Sequence, residues 1–136
     1  MERTYKKFQI KSVENEKALY NILELKDYAD FPVKRVYFVQ NFKIESVGGH
    51  CHKVEEELFI MTRGNCTAVL DRGNGLEETP FKLGDAIYVS NYVWHAFKNF
   101  SSDAILFALS STNYNPDRSD YVENYEEFQE VIKNLP

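Results

Sequence analysis

Short apolar runs rich in β-branched and aromatic residues recur along the chain, at Tyr5 to Ile10, Leu19 to Leu25, Val36 to Phe42, Leu58 to Thr62, Thr67 to Leu70, Ala86 to Val89 and Ala104 to Leu109. Runs of this length with turn residues between them are the pattern of strands in a sandwich or barrel. Gly48-Gly49, Arg63-Gly64-Asn65, Asp71-Arg72-Gly73-Asn74-Gly75 and Leu83-Gly84-Asp85 are the turn signals, and the third predicts a hairpin. The period changes in the tail. Tyr121, Tyr125, Phe128, Ile132 and Leu135 recur at steps of three and four, with Ser119 or Asp120 placed to cap the start, which predicts one amphipathic helix over 119–135. Its acidic outer residues, Glu123, Glu126, Glu127 and Glu130, read as a solvated face.

Composition narrows this picture. A chain of 136 residues has room for one hydrophobic core, so a single domain over 1–136 is expected, and 43% hydrophobic against 27% charged residues argues against disorder. Lys and Arg number 16 against 21 Asp and Glu, a net charge of −5 that repels a phosphate backbone, so no nucleic-acid partner is expected. The start has no apolar core of a signal peptide, and no stretch approaches the roughly 18 apolar residues of a spanning helix. A soluble, cytoplasmic protein without a membrane partner is expected, with Cys51 and Cys66 reduced.

All three histidines fall in two clusters. In Gly49-His50-Cys51-His52, strand alternation projects His50 and His52 to one face and Cys51 to the other. Glu57 and Gly64 follow, and the second cluster runs Gly84, Ser90, His95, Asn99. These spacings resemble the two signature motifs of the cupin superfamily, small jelly-roll β-barrels with a site inside the barrel. The resemblance implies an all-β cupin-type jelly roll with one C-terminal α-helix. In metal-binding cupins the matching positions, here His50, His52, Glu57 and His95, hold one divalent transition metal, and this donor set suits iron, manganese, nickel, copper or zinc.

A second resemblance covers nearly the whole chain. Val33 to Phe38, Gly48 to Lys53, Arg63 to Cys66, Val69 to Asp71, Val93-Trp94-His95, Phe100 to Asp103 and Asp120-Tyr121 through Phe128 are similar to the WxcM-like sugar-nucleotide 3,4-ketoisomerases. These enzymes convert dTDP-4-keto-6-deoxyglucose to its 3-keto isomer on the way to 3-amino sugars of bacterial surface glycans. The resemblance implies a dTDP-linked keto sugar as substrate, a homodimer that exchanges a strand, and metal-free catalysis by His50 and His52. A metal-dependent cupin enzyme and a non-catalytic sugar-nucleotide binding protein are the alternatives. Relatives usually carry arginine where Val47 stands and glutamine where Glu57 stands.

Moving a carbonyl from C4 to C3 requires a base for the C3 proton and a proton shuttle, roles that two imidazoles can divide near neutral pH. Arg35 and Tyr37 share a strand face and are expected to donate to the developing oxyanion or to hold the diphosphate, Tyr37 as part of the catalytic group. Lys43, Lys53 or Arg35 can stand in for the arginine absent at Val47. Tyr92 and Trp94 are expected at a nucleobase, and His95 with Lys53 in the substrate site. Glu57 is either a metal ligand or an acceptor that fixes a histidine tautomer; ionised, it should raise the pKa of His50 or His52 and leave one acid and one base.

Overall fold

The computed structural model describes residues 3–136. Twelve strands and two helices follow one another along the chain: β1 Tyr5–Gln9, β2 Lys11–Glu14, β3 Leu19–Ile22, α1 Leu25–Tyr28, β4 Arg35–Gln40, β5 Ser46–His52, β6 Glu57–Arg63, β7 Asn65–Asp71, β8 Glu77–Lys82, β9 Asp85–Val89, β10 Trp94–Lys98, β11 Ile105–Ser110, β12 Tyr121–Val122 and α2 Tyr125–Lys133. Ten of the strands form two five-stranded antiparallel sheets, ordered β1-β9-β6-β11-β4 and β12-β5-β10-β7-β8, the double-sheet arrangement of a jelly roll. β2 and β3 form a separate two-stranded ribbon, exposed at every position. Among the described residues no helix is long and apolar enough to cross a membrane.

Alternation drives this assembly. β11 reads intermediate and buried in strict turn, so that Leu106 and Ala108 face the interior, where Phe59, Met61, Leu70, Phe81, Ile87 and Phe97 meet them. Burying one such side chain contributes about 1.5–3 kcal/mol. The Asp71–Gly75 turn closes the predicted hairpin, with β7 and β8 paired from Asn65↔Lys82 to Leu70↔Glu77. Gly64, at the β6–β7 turn, has φ +72°, and a Cβ there would lie 2.8 Å from the Ala104 Cα, so only glycine fits.

Three expectations need correction. Gly48-Gly49 is not a turn: both residues lie within β5 at φ +81° and +78°, opposite a register shift between His95 and Ala96. The run Leu19 to Leu25 splits into β3 and the start of α1. The C-terminal helix begins at Tyr125, not near Ser119, because the Asn124 side chain caps it by accepting from the Glu127 N–H at 2.9 Å. Tyr121 and Val122, just ahead of the cap, join β5 instead, paired with His52 and Cys51. α2 then lies on the outer side of β5 and β10, with Phe128 and Tyr125 against Trp94, Cys51 and Val122.

Candidate active site

His50 and His52 project from β5 and His95 from β10, where His95 pairs directly with His50. Glu57 opens β6 and Tyr37 lies mid-β4, so both reach the histidines from the facing sheet. The His50 ring is edge-on to His52 and to His95, with centroids 4.8 Å apart in each case. Cys51, turned the opposite way, is fully buried under α2.

Carboxylates surround His52. Its Nε2 is 3.0 Å from Glu55 Oε2 and 3.6 Å from Glu57 Oε2, and its Nδ1 is 3.2 Å from Asp120 Oδ2. The angles leave these buried nitrogens without well-aligned hydrogen bonds, so charge holds the cluster more than directed bonding does. Glu57 also stands 3.1 Å from His95 Nε2 and accepts from the Tyr37 hydroxyl at 2.8 Å. Glu55 is anchored in turn by Arg35 at 2.7 Å and by the Ser110 and Thr112 hydroxyls at 2.6 Å each. Asp120 accepts from the backbone N–H of Val54 at 2.6 Å and of Glu55 at 3.3 Å.

This environment separates the proton affinities of the two imidazoles. Burial alone would lower the His52 pKa, but Asp120, Glu55 and Glu57 outweigh it and raise the value to about 11. His50 is pushed far down, first by burial and then by the neighbouring imidazoles of His95 and His52. Burial disfavours the charged form of Glu57, yet His52 and His95 hold its carboxyl well below the usual carboxylate range. Burial raises the Tyr37 hydroxyl, and Glu57 raises it further, so it stays a proton-bearing donor. Glu57 thus raises the proton affinity of both rings, that of His52 as one of three carboxylates.

A cavity of about 330 Å³ opens onto these groups, lined by Tyr37, His50, His52 and Glu57 together with Arg35, Arg118 and Tyr121. His95 is buried beneath it. Lys53 lines an adjoining cavity of about 280 Å³ that shares Arg35 and Tyr121. Trp94 does not border the site: it precedes His95 on β10, so alternation turns it outward, 5.3 Å from the Tyr125 ring. Tyr92 lies outside both cavities, in the β9–β10 turn at φ +57°, where its N–H donates to the His52 carbonyl at 2.7 Å.

Four contributors escape sequence reasoning: Glu55, Asp120, Arg118 and Tyr121. The run Glu55-Glu56-Glu57 carries a signal, since three consecutive carboxylates follow His52 within five residues. Periodicity places Tyr121 on the helix and Asp120 at its cap. The Tyr121 ring instead stands edge-on to His50 at 5.0 Å and to His52 at 4.5 Å. His50, His52 and His95 offer nitrogens within 4.8 Å of one another, a set that could take a metal.

The family model described as FdtA, WxcM-like, C-terminal matches residues 3–133. The chain belongs to this family. A curated family relative, TDP-4-oxo-6-deoxy-alpha-D-glucose-3,4-oxoisomerase of Aneurinibacillus thermoaerophilus, is 36% identical over 107 residues, covering 77% of this chain and 76% of the relative. Among solved structures, a 3,4-ketoisomerase from Helicobacter canadensis superposes with a TM-score of 0.86 at 27% identity, over 97% of this chain and 99% of that one. The TDP-quinovose 3,4-ketoisomerase WlaRB of Campylobacter jejuni does so with a TM-score of 0.82 at 28% identity, over 93% and 97%.

Proposed function

We infer that the chain is a 3,4-ketoisomerase that moves the carbonyl of a TDP-linked 4-keto-6-deoxyhexose from C4 to C3. One observation carries the mechanism: a neutral imidazole, His50, stands against one held as imidazolium, His52. His50 takes the C3 proton, the freed pair forms the C3–C4 double bond, and the carbonyl π pair moves onto the C4 oxygen, which takes a proton from His52. His50 then returns its proton to C4 while the C3 hydroxyl gives its proton to His52, leaving the carbonyl at C3. Positive charge passes between adjacent rings without being added or lost. The low basicity of His50 is set partly by the charge on His52, and it recovers as His52 becomes neutral. The His52 ring supplies the donor for the enediolate oxygen, and the Tyr37 hydroxyl, donating to Glu57, holds that carboxylate beside it.

No metal is required in this scheme. The ring nitrogens of His95 already face Glu57 and the Val93 carbonyl, which leaves His50 and His52, both lining the cavity, as the rings that reach substrate. A strand-exchanging homodimer accords with the exposed β2–β3 ribbon, which carries Val13, Leu19, Tyr20 and Ile22 in solvent, and with the β4 edge, where Val36 and Phe38 are exposed. A nucleotide-linked substrate accords with work in the cytoplasm.

Incubation with TDP-4-keto-6-deoxyglucose and a 3-aminotransferase should yield a 3-amino sugar, also from enzyme treated with a chelator. His50→Asn and His52→Asn should each lower kcat by about 10²–10⁴ with the fold intact. Absence of product where a known relative succeeds refutes the assignment. Activity lost to the chelator and restored by a divalent ion would favour a metal-dependent cupin enzyme, and TDP binding without turnover a non-catalytic binding protein.

A further inference from the structure

Among the charged groups at the cavity above His50 and His52, the two cations differ in how they are committed. Arg35 is tied through Nη2 to buried Glu55, which leaves it part of the scaffold that positions His52. Arg118, from the segment before β12, lines the same cavity and is only half-buried. Its guanidinium carbon lies over the Tyr121 ring, 3.8 Å from the centroid, and that ring stands edge-on to both His50 and His52. One Nη donates to Glu123, and the other reaches the Tyr114 hydroxyl at 3.4 Å. The backbone holds φ +55°, a left-handed conformation that a non-glycine residue rarely adopts. A long, flexible side chain is thereby fixed at one point, one aromatic ring away from the reacting centre. Five N–H donors in a planar fork exceed what Glu123 and Tyr114 consume.

We propose that Arg118 is the diphosphate anchor of the active site: its guanidinium receives the phosphates of the nucleotide-linked sugar while the hexose reaches past Tyr121 to the histidines. This rests on the ketoisomerase reading and adds to it the residue that positions the substrate. The contact with Tyr121 matters because a guanidinium held over a ring face keeps its remaining N–H donors for anionic oxygens. Glu123 competes for the same fork, so the site exchanges one carboxylate partner for phosphate oxygens when substrate enters.

Isothermal titration with TDP, TMP and thymidine tests this without turnover. Arg118→Ala should weaken TDP binding about tenfold to a hundredfold, weaken TMP less and leave thymidine unchanged. In the steady state KM for the TDP-keto sugar should rise by a similar factor while kcat changes less than threefold. Arg118→Lys should recover part of the TDP affinity, and Glu123→Gln, which frees the fork, should tighten TDP binding. TDP affinity unchanged in Arg118→Ala, or thymidine affinity falling in parallel with it, overturns the anchor. Wild-type protein that binds no TDP refutes the ketoisomerase reading itself, and the anchor with it.

Discussion

Two histidines two positions apart on one strand differ in charge because of what touches them. His52 meets three carboxylates and His50 meets other imidazoles. The rate should therefore show no inflection near the ordinary histidine value of about 6.5, since His50 is neutral well below it and His52 stays charged to about 11. A plot of log kcat against pH should be flat from about pH 6 to 9, and Asp120→Asn, which removes one carboxylate from His52, should bring an alkaline decline into that range. An inflection near 6.5 in the wild type would mean that the carboxylates do not set the charge. Stability obeys the same signs. The raised His52 value stabilises the fold fully below 6.5, and this contribution declines as pH rises toward about 11; the depressed His50 value acts oppositely, and its contribution is lost as pH falls below 6.5. At this scale the sequence was legible where period-two alternation applied: His50 with His52, Cys51 turned away, Arg35 beside Tyr37. The same rule, applied to the residue next to His95, would have turned Trp94 outward. Asp120 was not legible, because its partner lies far back in the chain and no local pattern records that contact.

The helix boundary shows what periodicity leaves undecided. Tyr121 continues the apolar spacing of α2, so the pattern extends through it, yet Asn124 caps the helix and Tyr121–Val122 pair with β5. A tyrosine and a valine suit a strand as well as a helix face, and tertiary pairing decided. The strand and the helix are coupled by packing, since fully buried Phe128 joins Val122 in one cluster with Trp94 and Cys51. Phe128→Ala should cost about 3–5 kcal/mol in denaturant unfolding. It should also lower kcat, since Asp120 and Arg118 sit just ahead of β12. Full kcat at matched folded fraction would show that the helix serves stability alone. The strand runs in the two sheets match the observed strands to within two residues at each end. β8, with Pro80 and four charged or hydroxyl side chains, carries no apolar run and was missed; its pairing to β7 follows from the hairpin turn.

Across the whole molecule, two sheets enclose one core while a ribbon and a sheet edge remain bare. β4 presents Val36 and Phe38 beside unpaired backbone, and β2–β3 presents four large apolar side chains. An arm that inserts against the same edge of a second copy covers both at once. Light scattering on the eluting protein should give twice the 15.9 kDa chain mass, and replacing Val13, Leu19 and Ile22 by serine should return it to a single chain. A wild-type mass of one chain would refute the exchange. Such pairing is invisible to a pattern read within one chain, whereas the jelly roll was legible because most of its strands carry their own apolar run. The hydrogen bonds from the Val54 and Glu55 amides to Asp120 also have a consequence in time. The ribosome delivers His50, His52 and strands β1 to β11 before Asp120, so a nascent chain has its rings in place while one of the three carboxylates that charge His52 is still missing. The full carboxylate set of His52 is thus completed only after the first eleven strands. In refolding, turnover should lag the strand signal, and a simultaneous return of both would refute this order.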